Sequence, residues 1–176
     1  MIPEGLRDLM SAFPHAGKVA WIGIRPAPRI VMQSLQSVEA IADRGLAGDR
    51  TAAKSRPGHA RQVTLIQAEH LALLAGLLQR EVIDASLTRR NIVVAGINLL
   101  ALKGHTFRIG NARFEMSGEC HPCSLMELQL GTGGYNAMRG HGGITAKVLE
   151  SGLIRLGDVL IPFPPLGPPV PLKGGE

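Results

Sequence analysis

Apolar residues in this chain fall mostly into short blocks bounded by glycine and proline, which is the signature of strands and tight turns. Lys18-Val19-Ala20-Trp21-Ile22-Gly23-Ile24 reads as a strand stopped by Pro26 and Pro28. The mixed, short-period stretch from Val31 to Ile41 predicts a second strand, and Gln62-Val63-Thr64-Leu65-Ile66 a third. Ile92-Val93-Val94 is a short buried strand. Phe107-Arg108-Ile109 and Ala112-Arg113-Phe114 flank Gly110-Asn111, a two-residue hairpin turn. Val148-Leu149 and Val159-Leu160-Ile161 add further short strands, with a turn at Gly157-Asp158. The clearest helical period is the recurrence of Leu71, Leu74, Ala75 and Leu78, with Glu69 near the start and Arg80 near the end, as the helix dipole favours.

Shorter helices are predicted within residues 2–13, through Leu6, Leu9 and Met10, and from Ser124 to Leu128. Gly45 to Arg50 carries a turn signal, and Lys54 to Ala60 reads as an exposed loop. Many short strands with glycine-marked turns predict an α+β fold that is mainly β: a closed β-barrel decorated by two or three short helices. No βαβ rhythm runs through the chain, and no internal repeat is seen. The expected organisation is an N-terminal extension over 1–16, one domain over 17–162, and a proline-rich, extended or disordered tail over 163–176.

Composition narrows the function. At 176 residues the chain is long enough for one domain with a core that needs no disulfide or metal. No apolar run approaches the roughly 20 residues of a membrane span. The start Met1-Ile2-Pro3-Glu4-Gly5 lacks the pattern of a signal peptide, and two cysteines make no secreted framework, so a reduced, cytoplasmic setting is expected. The net charge of +5 comes from fourteen arginines and five lysines against fourteen acids. Arginine binds planar or branched oxyanions bidentately. The arginines are dispersed, and one Trp, one Tyr and four Phe offer few stacking platforms, so a small phosphorylated ligand fits better than nucleic acid.

The chemistry centres on Cys120-His121-Pro122-Cys123-Ser124. A strand, Ala112 to Ser117, leads through Gly118 into this segment, and a helix follows, so Cys123 is expected at a helix N-terminus. Unpaired N–H groups there, with His121 as a second positive charge, favour a thiolate. Ordinary buried thiols, a zinc site completed by His121 or His141, and a Cys-x-x-Cys redox pair are the alternatives. Downstream, Gly131 to Gly143 holds six glycines in thirteen residues, with Arg139 and His141 adding charge. It reads as an anion-binding backbone or as a flexible surface loop. Arg89-Arg90-Asn91, with Arg50, His59 and Arg61, supplies candidate groups for a phosphate and a heterocycle edge.

Taken in order, Ile24-Arg25-Pro26, Gly45 to Arg50, Gln62 to Leu71, Arg89-Arg90-Asn91-Ile92-Val93, Ile109-Gly110, Pro122-Cys123 and Gly157-Asp158 resemble the MOSC family, the C-terminal domain of molybdenum cofactor sulfurases. The resemblance runs from about Lys18 to Ile161. It implies a β-barrel and a pterin-based molybdenum cofactor held through the sulfur of Cys123, with Cys120 outside that position. By similarity to the amidoxime-reducing relatives, Arg89 and Asn91 hold the cofactor, with Arg50, His59 and Ala60 as weaker matches. Those relatives' Lys-Ser pair falls on Pro28-Arg29 here, a departure at the first-strand contact. No pyridoxal-phosphate site, iron–sulfur motif or flavin motif is visible. A cysteine desulfurase or an electron-transfer protein is therefore expected as a separate partner. The implied roles are reduction of N-hydroxylated small molecules, or carriage of the cofactor or its sulfur. A non-enzymatic persulfide carrier is the contrasting reading, and a Cys-x-x-Cys thiol-redox protein the third.

Overall fold

The short apolar blocks become strands of a closed barrel. The structure is a computed structural model, and it describes residues 5–54, 56 and 58–163; segment 164–176, read above as part of the tail, lies outside the described residues. The strands are β1 (Gly17–Ile24), β2 (Gln33–Ser34), β3 (Ser37–Ile41), β4 (Gly45–Leu46), β5 (Val63–Gln67), β6 (Ile92–Ala95), β7 (Thr106–Ile109), β8 (Ala112–Glu119), β9 (Ile144–Glu150), β10 (Gly152–Arg155) and β11 (Val159–Phe163). Helices are α1 (Leu6–Ser11), α2 (Arg50–Lys54), α3 (Ala68–Leu77), α4 (Ser124–Leu130) and α5 (Gly134–Met138). Seven strands form the ring, in the order β11-β7-β8-β9-β5-β6-β1, and β1 pairs back onto β11 to close it. A small sheet, β10-β3-β4, flanks the ring.

Alternating side chains fill the interior. Val19, Ile22, Leu65, Ile92, Val94, Phe107, Phe114, Ile144 and Leu160 are buried in one cluster, where the Phe107 and Phe114 rings stack at 5.3 Å. A second layer lies where Leu74 and Ala75 of α3, Met126 and Leu130 of α4 and Met138 of α5 pack with Ile66 and Val93. Those two strand residues point away from the barrel interior, so β5 and β6 are apolar on both faces. That explains why Ile92-Val93-Val94 in β6 reads as a continuous hydrophobic run.

Several elements differ from the expectation. The stretch Val31–Ile41 is two strands, not one, and β11 continues through Pro162 and Phe163 into the segment read as tail. β5 and β6 are parallel and joined through α3, a single βαβ unit in an otherwise antiparallel ring. The helices number five among the described residues. The unforeseen ones, α2 and α5, are five residues each, too short to display a helical period. No helix among the described residues is long and apolar enough to cross a membrane.

Candidate functional site

The end of β1, the start of β6 and the turn before α2 are tied together by two buried polar side chains. Asp49 is 2% exposed and accepts from the Arg25 and Thr51 backbone N–H groups at 2.9 and 2.8 Å and from the Asn91 amide at 3.1 Å. Its bond to Thr51 caps α2, the usual service of an aspartate before a helix. Asn91 is 1% exposed, and its amide is filled by protein. The Nδ2 group donates to the Gly23 carbonyl at 3.1 Å as well as to Asp49. Its Oδ1 accepts from the Thr64 N–H at 3.1 Å and the Thr64 hydroxyl at 2.9 Å. An amide has two donors and two acceptor sites, so Asn91 is fully engaged in holding three segments together.

Around this hub stand the cations. The Arg25 guanidinium lies 3.8 Å from Asp49. Arg25, Arg50, Thr51, Lys54 and His59 line a cleft of about 200 Å³. Drug-sized ligands occupy roughly 300–1,000 Å³, so this cleft suits an oxyanion rather than a whole cofactor. Arg89 adjoins the cleft in a left-handed conformation, φ 56°, after a 3₁₀ turn over Ala85–Thr88. One of its N–H groups donates to the Ile30 carbonyl at 3.2 Å. Burial first, then the facing Arg25, push the Arg89 pKa below the ordinary arginine value. Arg50 adds to that, while Cys123 and Asp49 oppose it. Arg25 and Arg50 thus lie near enough to Arg89 to repel its charge, and Asp49, beside Arg25, is the buried carboxylate among them, a field that favours a bound anion.

Cys123 is exposed and occupies the N-cap position of α4 in an extended conformation, with no side-chain capping bond. Cys120 is buried, and its N–H donates to the Gly143 carbonyl at 2.8 Å. The two thiols therefore have unlike environments within one loop. Among the described residues no three His, Cys, Asp or Glu side chains gather to hold a metal ion.

Of the residues singled out from the sequence, Arg50 and His59 share the cleft, Arg89 joins them through Arg25 and Arg50, and Asn91 underpins them through Asp49. Cys123 lies near enough to Arg89 that its ionised form would favour the arginine charge. His121 lies elsewhere, in a groove with Lys103, Met116 and Glu119. Arg139 is exposed at the end of α5, and His141 pairs edge-on with His70 at 5.1 Å. Sequence reading passed over Asp49 as an organiser and Arg25 as a member of the cluster, although both stood inside quoted segments. An Asp two residues before a helical N–H is a capping signal, but the helix was too short to be seen.

A family model, described as MOSC domain, matches residues 51–161. Among solved structures, the YuaD protein from Bacillus subtilis superposes with a TM-score of 0.70 at 19% identity, over 85% of this chain and 97% of that one. YiiM from Geobacillus stearothermophilus gives 0.65 at 16% identity, over 84% of this chain and 75% of its own. YiiM from Escherichia coli gives 0.65 at 17%, over 88% and 73%. At these identities the likeness is one of fold. No curated protein matches the sequence.

Proposed function

This chain belongs to the MOSC domain family, and from that premise we propose that it binds a molybdenum cofactor, with Cys123 as the sulfur ligand to the metal. The observation that carries this reading is the convergence of Arg25, Arg50 and Arg89 beside an exposed thiol. A soft thiolate suits molybdenum, and guanidiniums suit the phosphate of a pterin cofactor, so the donor set fits the group. When bound, the cofactor supplies two-electron redox chemistry at the metal. The cleft of Arg50, Lys54 and His59 takes the phosphate, Arg89 keeps N–H groups free for ligand oxygens, and Asn91 and Asp49 hold the walls at fixed spacing. The substrates are N-hydroxylated small molecules: the N–O bond breaks, two electrons and two protons enter, and water leaves. A separate electron-transfer protein delivers the electrons.

A second reading, that Cys123 carries a persulfide received from a separate cysteine desulfurase, is favoured by its exposure on the surface. The deciding experiment is metal and pterin analysis of protein made in a host that synthesises the cofactor. Stoichiometric molybdenum that vanishes in Cys123→Ser supports the first reading. Protein free of molybdenum, yet bearing sulfane sulfur on Cys123 after exposure to a desulfurase and cysteine, replaces it with the second.

A further inference from the structure

Arg90 lies between two of the residues just discussed and faces a different neighbourhood. Arg90 is only 5% exposed, and its guanidinium spans three segments of chain. Nε donates to the Gly142 carbonyl at 2.7 Å, one Nη to Thr88 at 2.9 Å and the other to Cys120 at 3.0 Å. All three acceptors are neutral carbonyls, and Arg90 takes part in none of the ion pairs among the described residues. A buried cation without a carboxylate partner is costly, and here the three carbonyls alone compensate it.

The surrounding backbone is shaped to admit this group. A β-carbon at Gly142 would collide with the Cys120 carbonyl oxygen and crowd the Arg90 guanidinium at 3.1 Å. At Gly143, φ 84°, one would strike the Leu65 carbonyl. Gly142 therefore allows the cysteine loop and the Arg90 guanidinium to approach closely, and Gly143 lets the same segment lie against β5. Besides the three carbonyls, the nearby groups whose negative charge would favour the Arg90 cation are the two thiols of the loop in their ionised form, Cys120 and then Cys123, while Arg25 and Arg61 repel it.

We propose that Arg90 is the positioning residue of this site: its buried guanidinium fixes the Cys120–Cys123 loop and presents positive charge to any anionic group that approaches the Cys123 sulfur. A lysine is a single point charge and cannot bridge three carbonyls in three directions, whereas the planar fork of arginine can. The inference rests on Cys123 being the reacting sulfur. It is tested on cofactor-free protein, so failure of cofactor binding and failure of this proposal are read separately.

The measurement is the rate of Cys123 alkylation by anionic iodoacetate divided by that by neutral iodoacetamide, at one pH. The thiolate fraction cancels in the quotient, which leaves the local field. Arg90→Gln removes the charge and should lower the quotient at least about threefold. Arg90→Lys keeps the charge but loses the brace. It should preserve the quotient while opening buried Cys120 to alkylation, seen as a second adduct by mass spectrometry. An unchanged quotient in Arg90→Gln, or Cys120 still protected in Arg90→Lys, overturns the proposal. Should both variants fail to fold, the wild-type protein decides. Carboxymethylating Cys123 should shift the Arg90 Nε–H resonance more than carbamidomethylating it, and equal shifts overturn the proposal.

Discussion

Asn91 and Arg89 are two residues apart, and resemblance gives them the same role, yet their replacement should have very unequal consequences for stability. Asn91→Ala removes two bonds accepted from Thr64 and two donated to Gly23 and Asp49. At ~1 kcal/mol for each of the three neutral bonds and ~2 kcal/mol for the bond to the carboxylate, the loss is about 5 kcal/mol. Reorientation of the Thr64 hydroxyl and entry of water recover part of it, leaving about 3–4 kcal/mol. Against a total stability of roughly 5–15 kcal/mol this is a severe lesion. Arg89→Ala forfeits one bond, to Ile30, and relieves repulsion from Arg25 and Arg50. Its positive φ burdens alanine no more than arginine, so stability should hold within about 1 kcal/mol. Urea unfolding followed by circular dichroism, with slopes compared as well as midpoints, reads both variants. Asn91→Ala as stable as wild type would refute the assignment of its amide to the scaffold. Lost cofactor in Asn91→Ala thus has a scaffold explanation, whereas lost cofactor in a stable Arg89→Ala protein assigns Arg89 to the site.

Native-state alkylation should place one adduct, on Cys123, with Cys120 reacting only in denaturant; two adducts in the folded protein would contradict the burial of Cys120. Cys123→Ser should abolish bound molybdenum and Cys120→Ser should keep most of it, as metal analysis will show; equal, severe losses favour a paired-thiol mechanism. Arg50→Ala should weaken inorganic phosphate binding about tenfold, the loss of one charge-assisted bond, measured by NMR titration; unaltered binding removes the cleft from the ligand site. His70 is held below the ordinary histidine value of 6.5, by burial first and then by the facing His141. The folded protein therefore binds fewer protons than the unfolded chain, and the stability present above pH 6.5 falls as the pH drops through and below it. His70→Gln should flatten the melting temperature between about pH 7 and 5; a profile identical to wild type rejects this.

The strands around the ring were legible because each carries its own local signal: Pro26 after β1, Gly110-Asn111 inside the β7–β8 hairpin, an apolar run at β6. Cys123 at the head of α4 was legible for the same reason, a strand-turn-helix pattern within a dozen residues. Pairings between distant segments leave no such mark. The parallel register of β5 with β6, the reach of Asp49 to Asn91 and the span of Arg90 from Thr88 to Gly142 are properties of the closed barrel. The same holds for the glycine-rich stretch. Its composition suggested an anion cradle, but Gly142 and Gly143 sit where backbones approach one another, and part of the remainder folds into α5. His121, next in sequence to Cys120, lines another groove, because neighbours along a loop need not share a surface.

The seam of the barrel joins its first strand to its last: Gly17 and Lys18 of β1 lie opposite Leu160 and Val159 of β11. During synthesis the ring therefore stays open until nearly all of the described chain has left the ribosome, and β1 waits with one edge unpaired. The β1–β6 and β7–β8 pairings can form earlier, because they close shorter loops. A nascent chain stalled before β11 would expose a barrel edge and the apolar interior behind it, a substrate for chaperones or for aggregation. Closure by β11 thus makes the emergence of that strand the checkpoint for a sealed core.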